Sequence, residues 1–187
     1  MTRIIAGAQG GRRLAAPPGA GTRPTSDRVR EALFSALETL TDLDGARVLD
    51  LYAGSGAVGL EAVSRGAAHA LLVEHDARAA RVIRDNIRAL GVADRARLVT
   101  TKVAQALATP PADGGYDVVF ADPPYPMTDD EVAAALTALT RQAWLADDAV
   151  VVVERGSRGP ALSWVDGITA ERSRRYGETT LWYGRRS

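Results

Sequence analysis

Short apolar runs recur along the chain, and each has the length of one buried strand. They occupy residues 47–51, 70–74, 97–100, 116–121 and 149–154. Between them, apolar residues recur every three or four positions, which is the spacing of a helix with one buried face. This alternation predicts an α/β fold, in which a mostly parallel sheet is covered by helices on both faces.

The helical stretches carry start and stop signals. Ser26 is a suitable N-cap for the first helix, and Thr128-Asp-Asp-Glu131 has the spacing of a capping box. Pro110-Pro111 must end a short helix that follows the third strand. The other predicted helices lie around residues 29–40, 58–65 and 80–90.

The two ends of the chain depart from this alternation. Residues 1–24 are rich in glycine and proline and predict a short arm, with a hairpin around Gly10-Gly11. The low apolar content of the arm predicts that it adds little to the core, and a structural strand that covers a sheet edge is the alternative. After Glu154, residues 164–172 and 179–185 predict an antiparallel hairpin at the sheet edge. We therefore expect an arm over residues 1–24 and, over residues 25–187, one domain with a seven-stranded sheet.

Composition narrows the classes of protein further. The 187 residues suit one compact domain, and an apolar share of 46% is enough for a real core. The absence of cysteine excludes disulfides and thiolate zinc sites, and two histidines make a metal centre unexpected. No run of about 18 apolar residues and no secretory leader is present, so we expect a cytoplasmic monomer without a membrane partner.

Charge is distributed unevenly although the net charge is zero. Residues 1–30 hold six arginines and one acid, and residues 155–187 hold seven arginines and three acids. Basic flanks around an acidic centre favour a polyanionic partner. Solvated chain ends explain the same pattern equally well, so charge alone leaves both interpretations open.

A glycine-rich turn follows the first strand of the alternation. Gly54 to Gly59 spells G-x-G-x-x-G, and Glu74 follows Gly56 by eighteen residues at the end of the next strand. This spacing occurs in dinucleotide sites, where the acid binds a ribose. However, Asp50 ends the first strand, and its carboxylate would repel a pyrophosphate. A ligand that carries an amino or sulfonium cation suits it better.

A more specific motif, Asp122-Pro-Pro-Tyr125, follows the strand at 116–121. Open α/β sheets bind ligands outside the carboxyl ends of their strands, so this motif and the glycine turn should face one crevice. An Asp carboxylate and a backbone carbonyl form an acceptor pair for the two hydrogens of an exocyclic amine. The Tyr125 ring offers a surface on which a base can stack. A proline turn with a capping Asp is the structural alternative.

These residues resemble class I S-adenosylmethionine-dependent methyltransferases that modify exocyclic nitrogens. Further segments are similar to the RsmD type, which methylates guanine N2 in small-subunit ribosomal RNA, and the likeness spans nearly the whole chain. The segments are Arg3-Ile-Ile-Ala-Gly7, Gly11-Arg-Arg-Leu14, Arg23-Pro-Thr-Ser-Asp-Arg-Val-Arg-Glu-Ala-Leu-Phe34, Asp50-Leu-Tyr-Ala-Gly-Ser-Gly56, Gly59-Leu-Glu-Ala62, Ser64-Arg-Gly-Ala67 and Tyr176-Gly-x-Thr179.

The resemblance implies a Rossmann-like methyltransferase fold and a role for each site residue. Asp50 would face the methionine amino group of the cofactor, and Glu74 would accept both ribose hydroxyls. The implied cofactor site comprises Asp50, Tyr52, Ala53, Gly54, Ser55, Gly56, Glu74, His75, Thr101, Lys102 and Val103. The implied catalytic residues are Asp122, Pro123, Pro124 and Tyr125. The basic arm would bind RNA through Arg3, Arg12, Arg13 and Arg23.

One position departs from the family pattern. Many relatives have Asp or Asn after the third strand to bind the adenine amine, whereas this chain has Thr101-Lys102-Val103. Adenine recognition would then depend on backbone groups or on Thr101.

The expected function is methyl transfer from S-adenosylmethionine to guanine N2 of 16S ribosomal RNA, in the small ribosomal subunit or its precursor. Two enzymes of the same chemistry are alternatives, a DNA adenine-N6 and a protein glutamine methyltransferase. A non-catalytic RNA-binding module and an NAD oxidoreductase remain further alternatives.

Overall fold

The computed structural model describes residues 2–18 and 26–187. A parallel array of five strands alternates with helices, and an antiparallel pair follows it. The strands are β1 Thr2–Arg3, β2 Arg13–Leu14, β3 Arg47–Leu51, β4 His69–Glu74, β5 Ala96–Thr100, β6 Tyr116–Ala121, β7 Leu145–Gly156, β8 Ile168–Tyr176 and β9 Thr179–Arg186. The helices are α1 Asp27–Leu40, α2 Ala57–Ser64, α3 Ala77–Leu90, α4 Val103–Ala106 and α5 Asp129–Arg141.

The main sheet has seven strands in the order β5-β4-β3-β6-β7-β9-β8. Strands β3 to β7 are parallel, and β9 is antiparallel to both β7 and β8. The order reverses direction between β3 and β6, which is where open α/β sheets form their ligand crevice. The predicted fold class, a Rossmann-like sheet with a terminal hairpin, is confirmed.

Two strands, β7 and β8, differ from their expected bounds by more than one residue. Strand β7 begins at Leu145 rather than at residue 149, because Leu145 pairs with Tyr116 ahead of an irregular register before Val118. Strand β8 begins at Ile168 rather than at residue 164 and continues to Tyr176. Its eight residues after Ile168 are not buried, so hydrophobic pattern carries little information there.

Helix ends follow the sequence signals. The Ser26 side chain accepts from the Val29 backbone N–H, and Thr128 and Glu131 form a reciprocal capping box. The central strands are buried on both faces, which explains their unbroken apolar runs. Within the described ranges, no helix combines the length and the apolar character needed to cross a membrane.

The N-terminal arm is part of the packed structure, which corrects the expectation that it adds little to the core. Strands β1 and β2 form the expected hairpin, and Ile4 and Leu14 are buried against Leu60 and Ile83 of α2 and α3. Among the described residues of the arm, Ile4 and Leu14 are the buried apolar side chains. The overall composition of the arm therefore does not reveal that it packs on the core. The predicted boundary between residues 24 and 25 lies outside the described residues.

Candidate active site

The predicted site residues follow the carboxyl ends of four neighbouring parallel strands. The glycine turn follows β3, Glu74 ends β4, Thr101 follows β5 and Asp122 follows β6. Because β3 pairs in parallel with both β4 and β6, these ends meet at one edge of the sheet. The register places Leu51 opposite both Val73 and Ala121. The topology therefore brings the cofactor candidates and the Asp-Pro-Pro-Tyr motif to one crevice.

The backbone of the glycine turn, residues 52–56, has three left-handed positions. Gly54 has a φ of 60° and Gly56 a φ of 81°, and Tyr52 has a φ of 57° although it is not glycine. A Cβ at Gly54 would have no atom within 4 Å, whereas one at Gly56 would lie 2.9 Å from Leu72 Cδ2. Gly54 thus faces open space at the crevice, and Gly56 allows close packing beneath it.

Glu74 fixes the glycine turn in place. Its Oε1 accepts from the Gly54 backbone N–H at 2.8 Å, and its Oε2 accepts from the Asp76 backbone N–H at 2.9 Å. The same carboxylate therefore joins the segments that follow β3 and β4. Each carboxylate oxygen can accept more than one hydrogen bond, so the geometry still allows ribose hydroxyls to bind.

Asp50 lies beneath the turn with 1% of its surface exposed. Its Oδ2 accepts from the Gly59 backbone N–H at 2.9 Å in the first turn of α2. Burial raises the pKa of the Asp50 carboxyl to about 8; the Gly59 hydrogen bond opposes this rise, and the negative charge of Glu74 adds to it. A buried carboxylate of this kind favours a cationic ligand group nearby, which matches the expected amino group.

Tyr52 is the first residue of the glycine turn and directly follows β3. Its half-buried ring packs against the core beneath α5. Burial and the negative charge of Glu131 together raise the pKa of the Tyr52 phenol to about 12, and the charge of Arg155 opposes this rise. A left-handed backbone at an aromatic residue is strained and occurs mostly at functional turns.

The remaining cofactor candidates differ in what they present to the crevice. The Thr101 backbone N–H donates to the Glu74 carbonyl at 3.1 Å, and the Thr101 hydroxyl donates to Gln105 Oε1 at 2.9 Å. Lys102 is exposed, whereas Val103 is buried in the core. The side chain of His75 is exposed, with Nδ1 3.7 Å from Glu74 Oε2. Thr101 therefore joins the end of β4 through its backbone and α4 through its hydroxyl.

The segment 122–128, which we call the target loop, joins β6 to α5. Asp122 is half-buried and Pro123 is buried, whereas Pro124 and Tyr125 are exposed. Tyr125 has 66% of its surface exposed, and among the described residues it is the one large hydrophobic residue that is exposed. Arg155 supports the loop, because its Nη2 donates to the Met127 carbonyl at 3.0 Å. The loop thus holds an aromatic ring in solvent on an anchored backbone.

Asn86 is a residue of the site that sequence reasoning missed. It is 3% exposed in α3, and its Nδ2 donates to the carbonyls of Ser55 and Ala15, each at 3.0 Å. Its Oδ1 accepts from the Ala15 backbone N–H at 2.8 Å. Asn86 therefore joins the arm to the glycine turn. A polar residue on the apolar face of a predicted helix was the available signal.

A second missed group holds the arm against α2. Both Glu61 carboxylate oxygens accept arm backbone N–H groups, from Ile5 at 2.8 Å and from Ala6 at 3.1 Å. The fully buried guanidinium of Arg30 lies 3.5 Å from Glu61 and donates to the Arg3 carbonyl. Desolvation lowers the pKa of Arg30, and the charges of Glu61 and Asp27 oppose that shift. The buried acid in α2 was the signal that sequence reasoning passed over.

The predicted RNA-binding arginines that the structure describes lie on the arm, which packs on α2 and α3. Arg3, Arg12 and Arg13 are exposed on the arm, and Arg23 lies outside the described residues. Arg12 Nη2 donates to the Ala89 carbonyl at 2.7 Å, near the end of α3, so part of its binding capacity serves the arm. Among the residues that the structure describes, no three His, Cys, Asp or Glu side chains form a potential metal site.

Comparison with known proteins places this arrangement in a family. The family described as conserved hypothetical protein 95 matches residues 2–185. Ribosomal RNA small subunit methyltransferase D of Escherichia coli is 41% identical over 81% of this chain and 73% of its own length. The Haemophilus influenzae protein of the same name is 35% identical over 86% of this chain and 82% of its own.

Structural comparison agrees with the sequence relatives. The solved structure of the Escherichia coli protein yhhF is 34% identical and superposes with a TM-score of 0.84, covering 100% of this chain and 98% of that one. The resemblance to small-subunit ribosomal RNA methyltransferases that the motifs indicated is confirmed. On this evidence, the chain belongs to the family described as conserved hypothetical protein 95.

Proposed function

We propose that the protein transfers a methyl group from S-adenosylmethionine to the exocyclic N2 of a guanine in 16S ribosomal RNA. The observation that carries the proposal is the target loop, which places Asp122 and the exposed Tyr125 ring beside the crevice that holds Glu74 and the glycine turn. The names of the E. coli and H. influenzae relatives support the ribosomal substrate.

The residues of the crevice fit the cofactor. When bound, S-adenosylmethionine supplies an activated methyl group on a sulfonium sulfur. Glu74 would accept its ribose hydroxyls, Asp50 would attract its amino group, and Gly54 leaves open space above the turn. Thr101 and the backbone beside it would meet the adenine edge. His75, Tyr52 and Lys102 border this site.

Asp122 orients the target amine. Its carboxylate and the Pro123 carbonyl accept the two amine hydrogens, which directs the nitrogen lone pair toward the methyl group. The proton lost from nitrogen passes to Asp122 or to water. Most of the rate enhancement then comes from alignment rather than from acid–base catalysis.

Tyr125 holds the base. A guanine in folded RNA must leave its stack before its N2 can enter the crevice, and stacking on an aromatic ring offsets part of that cost. Arg3, Arg12, Arg13 and Arg23 of the basic arm contact RNA phosphates. The substrate is the small subunit or its precursor in the cytoplasm, and the protein acts as a monomer.

The decisive test is transfer of tritium from labelled S-adenosylmethionine to unmethylated small subunits, followed by digestion of the RNA. We expect the label in N2-methylguanine. Asp122→Ala should abolish transfer while cofactor affinity stays within a few-fold of wild type, since its loss affects the chemical step. Asp122→Asn keeps one acceptor oxygen and should retain part of the activity. Label in another nucleotide or in protein, or full turnover by Asp122→Ala, would contradict the proposal.

A further inference from the structure

The turn between β8 and β9 lies directly beside the target loop. Gly156, which ends β7, pairs with Thr179, the first residue of β9. A Cβ built on Gly156 would lie 3.6 Å from Tyr125 Cε1 and 3.9 Å from the Glu178 carbonyl oxygen. The Tyr125 ring and the turn are therefore neighbours across Gly156.

This turn is held rigidly on β7. The Ser157 backbone N–H donates to the Glu178 carbonyl at 2.8 Å, and the Ser157 and Thr180 hydroxyls lie 2.8 Å apart. Gly177 has a φ of 61°, the left-handed value that a tight two-residue turn requires. The strand ends that flank this turn thus have a fixed backbone position relative to Tyr125.

Arginines concentrate around the turn. Arg158, Arg174 and Arg175 are exposed, and Arg175 Nε donates to the Gly177 carbonyl at 2.9 Å. Arg175 is opposite Thr180, which is itself opposite Arg155, so these three share the sheet face on which Arg155 supports the target loop. Arg174 points to the other face of the same edge.

Acidic residues lie on the other side of the target loop. The first turn of α5 holds Asp129, Asp130 and Glu131, and Arg155 forms an ion pair with Asp129 at 3.4 Å. Glu171, farther along β8, pairs with Arg185 at 2.7 Å. On the hairpin side, the turn itself holds the acid Glu178, but the three arginines Arg158, Arg174 and Arg175 outnumber it. A polyanion that reaches Tyr125 would therefore be repelled on the α5 side and attracted on the hairpin side.

We propose that Arg158, Arg174 and Arg175 form a phosphate-binding rim that holds the RNA strand next to the nucleotide stacked on Tyr125. The proposal rests on the proposed function and identifies where its RNA substrate leaves the crevice. Arginines on an edge strand also discourage pairing with other chains, but that role does not require them to cluster beside the target loop. Arginine binds phosphate in a bidentate manner, which suits a rim that must fix a backbone.

The test combines Arg174→Ala with Arg175→Ala and adds Arg158→Ala as a separate variant. Arg141→Ala is the matched control, because this exposed arginine ends α5 just before β7 begins, at the end of the strands opposite to the target loop. Binding to 16S ribosomal RNA is measured over a salt series, and KM for small subunits, cofactor affinity and Tm are measured alongside. Arg174→Lys with Arg175→Lys keeps the charge without the bidentate geometry.

We expect the double alanine variant to lower the slope of log affinity against log salt by about two units, since each phosphate contact contributes about 0.9. KM for small subunits should rise, with cofactor affinity and Tm unchanged, and the lysine pair should restore most of the slope. Wild-type slope and KM in the double variant would overturn the rim. If the wild-type protein itself fails to methylate small subunits, the proposed function fails instead, so the two failures are distinguishable.

Discussion

The N-terminal arm and the β8–β9 hairpin are both arginine-rich additions to the parallel sheet, yet the structure uses them differently. The arm covers α2 and α3, buries Ile4 and Leu14 and reaches the glycine turn through Asn86. The hairpin extends the opposite side of the sheet and places its turn beside Tyr125. The arm and the hairpin are therefore similar in charge but differ in their surroundings. Neighbouring groups decide which of their arginines remain available to a partner.

Mutations at the two ends of the chain should therefore have different effects. Disturbing the buried contacts of the arm should change stability and cofactor affinity, since these contacts lead to the cofactor side of the crevice, whereas its exposed arginines serve RNA binding. Disturbing the hairpin turn should change RNA affinity alone. Each of the following predictions tests one part of this division.

The largest effect is expected from Ile4→Ala. Ile4 is 0% exposed within the cluster that α2 and α3 form, so its truncation leaves a cavity. We expect a loss of about 2–5 kcal/mol in the free energy of unfolding, measured by urea denaturation. Arg174→Ala is the hairpin counterpart and should leave that free energy within about 0.5 kcal/mol of wild type. A loss below about 1 kcal/mol for Ile4→Ala would show that the arm is dispensable to the core.

Glu74→Ala should weaken cofactor binding by about 10–100-fold. The carboxylate would bind the ribose through charge-assisted hydrogen bonds of about 1.5–3 kcal/mol, and it also holds the Gly54 N–H. Titration calorimetry with S-adenosylmethionine measures the change, and RNA affinity should be unaffected. Unchanged affinity for the cofactor would remove Glu74 from the site.

Asn86→Ala should weaken cofactor binding several-fold, because it leaves the buried Ser55 carbonyl without its Asn86 donor. The cost of such an unsatisfied group is about 1–3 kcal/mol, shared between stability and binding. Asn86→Asp removes the donors to the Ser55 and Ala15 carbonyls but keeps the acceptor for the Ala15 N–H, so it removes the turn contact while one of the two arm contacts remains. Cofactor affinity equal to wild type in both variants would break the link between the arm and the turn.

The last effect is a pH dependence confined to the cofactor side, and it is the smallest change when it is measured per pH unit. Burial raises the pKa of Asp50 to about 8 in the folded protein, from about 3.9 when unfolded. The protonated form is thus favoured by folding, so this contribution is complete below about pH 4 and is lost as pH rises through about 8. The free energy of unfolding should fall by up to about 1.4 kcal/mol per pH unit within that window.

Asp50→Asn supplies the control for this slope, since it lacks the titrating proton. The free energy of unfolding of both proteins is measured from pH 5 to pH 9, and the difference between them should become smaller toward low pH. Saturating S-adenosylmethionine should reduce the wild-type slope. Parallel curves for the two proteins would show that Asp50 titrates in its ordinary range.

The sequence by itself determined the elements and the location of the site. Apolar runs and capping residues marked β3 to β7 and α1 to α5, because buried strands and amphipathic helices leave periodic patterns. The spacing of Asp50, Glu74 and Asp122 at strand ends predicted one crevice, since parallel strands end at one edge. These features are local or follow from topology, so no tertiary contact was needed to find them.

Tertiary structure alone decided the roles of the ends and of the supporting polar residues. Asn86, Glu61 and Arg30 form contacts with residues far away in sequence, and no periodic pattern records a partner at such a separation. The position of the β8–β9 turn beside Tyr125 depends on the antiparallel placement of β9 between β7 and β8. Charge along the sequence showed that both ends are basic, but only packing showed that one end is docked on α2 and α3 while the other stands beside the target loop.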